Sequence, residues 1–547
     1  MPPPFRFFLL LALIAAPRLA CAEAPLRERL DALILAGARG QPASATADDA
    51  EFLRRVFLDF AGRIPSAAEA SAFLQDRAAD KRARLIDRLL ESPDYPRRMQ
   101  ELFHAMLMER LGDHPKWLEY LRSSFAANKP WDRMAREILR ADPDDPASRG
   151  AAFFYAKRLE HYGENPVDYA GLTRDVARLF LGKDFQCCQC HDHLFISDYK
   201  QEHFQGLFAF FRNTYLHDGP STTVGEKPTT QKLPFASVFK KVPHETGPRL
   251  PGGREMLVPV MKPGEEFVKA PDPKTKSPGV LRHSPLATLA EQLPTAANED
   301  FVRNSVNRFW FILMGRGLVH PLDQFHSGNP PSHPELLDLL GREFVSHKFD
   351  IRWLLREIAL SQAYQRSSML PAGVDTAKAD RFLTALEKRL GPEQMLWSVL
   401  EATGEKEAAL RDAKKLGALR ARFVAAYANP AREPEDDVAT GKVRQTRKIG
   451  TDNDGFVHDL HLHADGFVMA VSSGQPGNGK LFFQREGDAE PFFSAAIPNC
   501  HSLAVHPDGK RLAVVATNAG SSGNGRVLDK DKNYPGNWSP VVLWDMA

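Results

Sequence analysis

The residues best equipped for chemistry are five in a row: Cys187, Cys188, Gln189, Cys190 and His191. Read as Cys187-x-x-Cys190-His191, they match the attachment pattern of c-type haem. Two thiols at that spacing can form thioethers with the haem vinyl groups, and the next imidazole can ligate the iron. A second reading is a Zn or Cu site drawn from Cys187, Cys190, His191 and His193, with Cys188 and Asp192 as further donors. A third is a local disulfide, or thiols buried beside a turn. Cys188 complicates the haem reading, because a third thiol inside the loop could mispair before attachment. For a sixth iron ligand the sequence offers His161, His193 and His203, none of them singled out by its spacing; a five-coordinate iron is the alternative.

Other candidate sites are weaker. His458, His461 and His463 resemble a metal triplet, but His458 and His463 recur as His501 and His506 in a repeat, which blade geometry explains better than ligation. No His-Glu-x-x-His, Gly-x-Ser-x-Gly, P-loop or dinucleotide fingerprint occurs, and no carboxylate pair stands out as an acid/base couple. Catalytic residues therefore stay unassigned. The 547 residues carry 71 Lys plus Arg against 69 Asp plus Glu, a net charge of +2, with no long basic run, which argues against nucleic acid as the main partner. Five cysteines are too few for a disulfide scaffold, and three of them cluster within four positions.

The elements that must hold this cluster are mainly helical. Residues 1–22 read as a signal peptide: Arg6, an apolar stretch from Phe7 to Ala16, and a small-residue cleavage site at Ala20-Cys21-Ala22. A lipidated Cys21 is disfavoured by Arg18, which stands where an aliphatic residue is preferred. No later segment has the roughly 18 apolar residues of a membrane span. The expected location is periplasmic or secreted. Across 50–215, Phe52, Leu53, Val56, Phe57 and Phe60 recur at helix spacing, Gly62 and Pro65 end that segment, and Ser66 with Glu69 forms a capping box. Pro166 to Leu181 reads as a helix running into the cysteines, with Gly182 as its C-terminal cap. Residues 216–278, punctuated by Pro and Gly, read as a strand-and-loop insert. Residues 279–435 turn helical again, with helices expected at Phe301 to Leu313, after a Ser332–Glu335 capping box, at Ile351 to Ala363, and through Phe382 to Leu390 and Met395 to Leu400.

Residues 436–449 read as a junction, and 450–547 as a small all-β tail. There His458 to Gly466 aligns with His501 to Gly509 at an offset of 43 (501 minus 458). That period resembles WD-repeat propeller blades of about 40–45 residues. Two blades cannot close a ring that needs at least four. The fold expectation is thus two helical regions packed around the insert, followed by about two propeller-like blades.

Several stretches also carry a family resemblance. Phe52 to Asp59, Ile64-Pro65-Ser66, Arg84 to Leu90, and Cys187 to His193 with its Phe-rich sequel resemble an exported planctomycete cytochrome-like family, domain of unknown function 1549. That family's motif usually reads Cys-x-x-Cys-His-Asp-His-Pro; here Cys188 replaces a small residue and Leu194 stands where Pro is usual. Val306 to Trp310, Gly315 to Val319, Pro330 to Leu337 and Tyr364 to Ser368 resemble the partner domain of unknown function 1553, here truncated near Pro434. The resemblance implies a helical, exported protein but no reaction. The leading functional expectation is an exported protein that binds c-type haem at Cys187, Cys190 and His191 and passes electrons to a redox partner. Alternatives are a non-redox binding or scaffold protein associated with surface polysaccharide or its proteins, and a metal-dependent hydrolase.

Overall fold

The computed structural model describes residues 23–427 except 143–144, 161–165, 218–222, 275–276 and 375–377, and beyond 427 only strand segments between 436 and 545. The signal-peptide reading at 1–22, His161 and most of the junction at 436–449 lie outside the described residues. The chain divides into two compact units near Asn429.

The first unit is helical, and its helices begin and end for local reasons. Asp48 caps Asp49–Phe60 by accepting from the Glu51 N–H at 2.8 Å. All five apolar residues read at helix spacing there are buried. The Ser66–Glu69 capping box forms with both bonds in place, the Glu69 N–H donating to Ser66 at 3.2 Å and the Ser66 N–H to Glu69 at 2.8 Å. The expected Ser332–Glu335 box does not form. That helix runs Pro334–Ser346 from an uncapped His333, its start set by Pro334, whose fixed φ suits the first turn. Phe382 to Leu390 is not a helix either. Phe382 adopts a left-handed φ of +54°, and the stretch after it is irregular. There Lys388 Nζ donates to the Leu313 carbonyl at 2.9 Å, satisfying an end of the helix Glu299–Met314. A helix not anticipated, Leu26–Ala36, buries Leu26, Leu30 and Ile34. Its buried Asp31 accepts from the N–H groups of Gln362 and Ala363, both at 2.8 Å.

The two helical regions share one core. A single buried cluster extends from Leu26 to Leu383 and includes Phe185 and Cys188. Aromatic rings bridge the regions: Phe309 lies 5.9 Å from both Phe103 and Trp131, edge-on to the latter. Each such ring buries about 150–250 Å², so these contacts carry much of the cohesion between regions. Three two-stranded antiparallel sheets overrun the expected 216–278 at both ends: Thr214–His217 with Thr223–Glu226, Leu233–Ala236 with Pro243–Thr246, and Phe267–Lys269 with Val280–Leu281.

The second unit is antiparallel β. Phe456–His463, Gly466–Ser472, Gly479–Arg485 and Phe493–Ala496 form a four-stranded meander, and Cys500–Val505, Arg511–Ala516 and Val541–Asp545 a three-stranded one. The two copies of the 43-residue repeat fall on the first hairpin of each sheet. The described strands close no ring.

Candidate functional site

The cysteine motif is approached by a helix that changes pitch. Asp168 caps Tyr169–Val176, its Oδ1 accepting from the Gly171 N–H at 2.7 Å. The last turn, Ala177–Leu181, widens to π geometry, a rare form that recurs at functional sites. Gly182 then takes φ +67°, and its N–H donates to the Arg178 carbonyl at 3.2 Å. No side chain fits there: a Cβ would stand 2.6 Å from the Phe325 ring and 2.9 Å from Asn304 Oδ1. The second helical region holds this exit. Phe325 N–H donates to the Gly182 carbonyl at 3.0 Å, and Asp184 N–H to the Asp323 carbonyl at 2.9 Å. Buried Arg308 braces both sides by donating to the Arg178 carbonyl at 2.7 Å and to Asp323.

Cys187–Gln189 forms a short 3-10 turn, anchored by the fully buried Phe185. Side chains three apart in such a turn lie on one side. Cys187 and Cys190 are accordingly both exposed, whereas Cys188 points into the core and is fully buried. Burial pushes the Cys188 thiol up to about 12, so it stays protonated and unreactive at neutral pH. None of the three is in a disulfide. Gln189 pins the turn from both ends: its side chain accepts from Arg174 and its carbonyl from Gln205 Nε2, each at 2.8 Å.

The two histidines of the motif differ in their free nitrogens. His191 Nδ1 lies 2.6 Å from the Asp192 carbonyl. A carbonyl only accepts, so Nδ1 carries the proton and the neutral ring presents a bare Nε2 lone pair. His193 is the reverse: its Nδ1 accepts from the N–H groups of Phe195 at 3.2 Å and Ile196 at 3.0 Å, which leaves the proton of the neutral ring on Nε2. Among the described residues no three His, Cys, Asp or Glu side chains are grouped to hold a metal ion, so Cys187, Cys190, His191 and His193 are not gathered into a four-donor site. His203 sits half-buried with its ring 6.1 Å from Phe185, and burial pushes its pKa down.

Several large apolar side chains near the motif face solvent. Phe195 is 91% exposed, Phe239 66% and Leu194 65%. The Phe239 ring lies 4.8 Å from that of His191, and the neighbouring Val238 N–H donates to the Cys190 carbonyl at 3.1 Å. Large exposed apolar side chains gathered at one place mark surfaces that meet something else. No sequence signal connects Phe239 to the motif, since it arrives from the insert 48 positions after His191 (239 minus 191). Asp192 fixes the loop's exit by accepting from the Gln201 N–H at 2.9 Å, where the Phe-rich helix Gln201–Phe211 begins.

Comparison with known proteins places these elements. Residues 29–215 match the family model described as PSCyt2, protein of unknown function (DUF1549), and residues 287–446 match PSD1, protein of unknown function (DUF1553). No curated protein and no solved structure matches the chain. The first match begins at the unanticipated helix Leu26–Ala36 and ends just past the Phe-rich helix, so it takes in the whole cysteine motif. Two segments of the chain thus resemble these families of unknown function, in the order the sequence motifs implied.

Proposed function

We propose that this is an exported redox protein holding a c-type haem, with Cys187 and Cys190 as covalent anchors and His191 Nε2 as the proximal ligand. One observation carries the reading most directly: the two thiols of the pattern are exposed on one side of the 3-10 turn, while the interfering third thiol is buried. The chemistry of the neighbours fits. His191 Nδ1 is tied to the Asp192 carbonyl, which orients the ring and raises the basicity of Nε2. Leu194, Phe195 and Phe239 would cover an apolar macrocycle that otherwise faces water. A bound haem would supply one-electron chemistry, its potential set by axial ligation and burial. Export rests on the leader-like residues 1–22, and no described helix is long and apolar enough to cross a membrane. Among the described residues the metal-dependent hydrolase has no metal-ligand cluster in its favour.

The test is periplasmic expression in a host equipped for c-type haem maturation, followed by acid–acetone extraction and a haem-stained denaturing gel. Stain should survive extraction, fall in Cys187→Ser and Cys190→Ser, vanish in the double variant, and persist in Cys188→Ala. A wild-type protein that folds yet carries no extraction-resistant haem refutes the proposal.

A further inference from the structure

A second site lies away from the cysteine motif, in a cleft of about 800 Å³ where the first and second matched segments meet. Its walls combine apolar side chains, Leu58, Leu102, Phe311 and Leu386 among them, with an unusual density of charge. That volume is within the range of about 300–1,000 Å³ typical of small-molecule sites.

Almost every acid in the cleft is already partnered. Asp59, 3% exposed, receives Lys388 Nζ at 2.5 Å and the Tyr364 hydroxyl at 2.8 Å. Glu51 receives Arg55 at 2.5 Å. Glu101 receives the Trp397 indole N–H at 2.7 Å and Arg97 at 3.2 Å. Glu393 is held by both arms of Arg110, at 2.8 and 3.0 Å. The remaining acid, Glu387, stands exposed at the rim.

Arg98 is the exception. It is 9% exposed, lines the cleft, and makes no hydrogen bond or ion pair among the described residues; its Nε is buried with no acceptor. The fold is shaped to admit it. Gly62 has φ +65°, and a Cβ there would stand 2.7 Å from Arg98 Cδ, so the arginine stem occupies space that only glycine leaves open. Guanidinium does not shed its proton in proteins, and a buried charge without a hydrogen-bonding partner is strongly unfavourable.

From this geometry we infer that the cleft binds a small organic monoanion, a carboxylate with an apolar body, through the guanidinium of Arg98. A carboxylate matches the planar fork of arginine bidentately. Asp59 and Glu101 act on Arg98 only through space, so its N–H donors are left for one ligand carboxylate, and those acids together with Glu393 disfavour a dianion. The apolar wall residues receive the rest of the ligand, and Arg54, exposed at the mouth, draws anions toward it.

Titration calorimetry of the full chain with sodium benzoate, at constant sodium chloride, tests the inference. Saturable binding is expected in wild type, with benzyl alcohol giving none and sulfate binding more weakly than benzoate. Arg98→Gln should weaken benzoate at least about tenfold, the loss expected for a charge-assisted pair. Ala105→Phe, which narrows the cleft from the wall that also carries Arg98, should weaken binding and serves as the readout if Arg98→Gln does not fold. The Cys187→Ser/Cys190→Ser variant should bind benzoate as wild type does, so this result stands apart from the haem proposal. Absence of saturable benzoate binding in wild type, equal affinity in Arg98→Gln or in Ala105→Phe, or a preference for benzyl alcohol or sulfate would each overturn it.

Discussion

Replacing Gly182 by Ala tests how the cysteine loop is held. At φ +67° an L-residue costs about 1–2 kcal/mol. The new Cβ also falls 2.6 Å from the Phe325 ring and 2.9 Å from Asn304 Oδ1. Neither neighbour yields freely. Asn304 is fixed by donating to the Leu179 carbonyl at 2.9 Å and accepting from Arg308 Nε at 3.1 Å. The Phe325 main chain is tied to Gly182 itself by the N–H bond to its carbonyl, which keeps the ring over this position. Overpacking of this kind costs about 1–3 kcal/mol, so Gly182→Ala should lose about 2–5 kcal/mol, read as a lower urea midpoint at unchanged slope. Gly182→Asn, which tolerates the left-handed region but keeps the clash, should fall between the two. Site-resolved labelling with iodoacetamide of haem-free protein gives the local readout. In wild type Cys187 and Cys190 should label and Cys188 should be protected; in Gly182→Ala, Cys188 should label measurably faster. A loss below about 1 kcal/mol, or wild-type Cys188 labelling as fast as Cys187, would refute the reasoning.

Three further outcomes are expected. Burial, aided by Arg420, pushes His104 down to about 4, and its Nδ1 accepts from the Trp117 indole at 3.1 Å. The unfolded ring takes up its proton near 6.5, so stability is full above that value and falls as the pH drops toward 4. His104→Asn keeps an acceptor without titrating, and its deficit relative to wild type should shrink by about 2.5 kcal/mol between pH 7.5 and 4.5 in urea unfolding. Burial raises Glu69, but the Arg63 pair and the Ser66 N–H outweigh it and bring it down to about 2. Its contribution is present above pH 4.5 and lost as pH falls toward 2, so the gap between wild type and Glu69→Gln should close over that window in acid-unfolding curves. Asn307, fully buried, donates to the Val319 carbonyl at 2.9 Å and accepts from its N–H at 3.0 Å. Asn307→Ala strands both groups and should cost about 2–4 kcal/mol by thermal or urea unfolding; a loss under about 1 kcal/mol would mean that water replaces the side chain.

Much of the helical architecture was legible because helix periodicity and caps are local signals. Phe52 to Phe60, the Ser66–Glu69 box and the left-handed Gly182 all declare themselves within a few residues. Leu26, Leu30 and Ile34 carry the same signal at four-residue spacing, but over a single short helix directly after the leader-like segment, whose apolar run masks it. Phe382 to Leu390 misled for the opposite reason. Its apolar residues look helical, but Phe382 turns left-handed to bury its ring 5.2 Å from Trp310, and Lys388 reaches another helix's end. Tertiary contacts override propensity there. The tail's two repeats mark where each sheet starts, because apolar/polar alternation is likewise a local signal.

The two sites differ in what a sequence can disclose. The cysteine motif is contiguous, so its residue types are plain, and only the division of labour is hidden: that Cys188 turns inward while Cys187 and Cys190 face out follows from the 3-10 turn, not from the spacing alone. The Arg98 cleft has no contiguous signature. Its walls come from residues 51–110 and 311–394, and what sets Arg98 apart is that each neighbouring carboxylate has been claimed by a different cation. That is a property of the whole set of pairings, and no motif can encode it. The same dependence on both regions reaches the cysteine loop through Phe325, Asp323 and Arg308. The first matched segment therefore contributes the cysteine motif and Arg98, and the second braces the cysteine loop and completes the cleft wall, which is a physical reason for the two segments to occur in one chain.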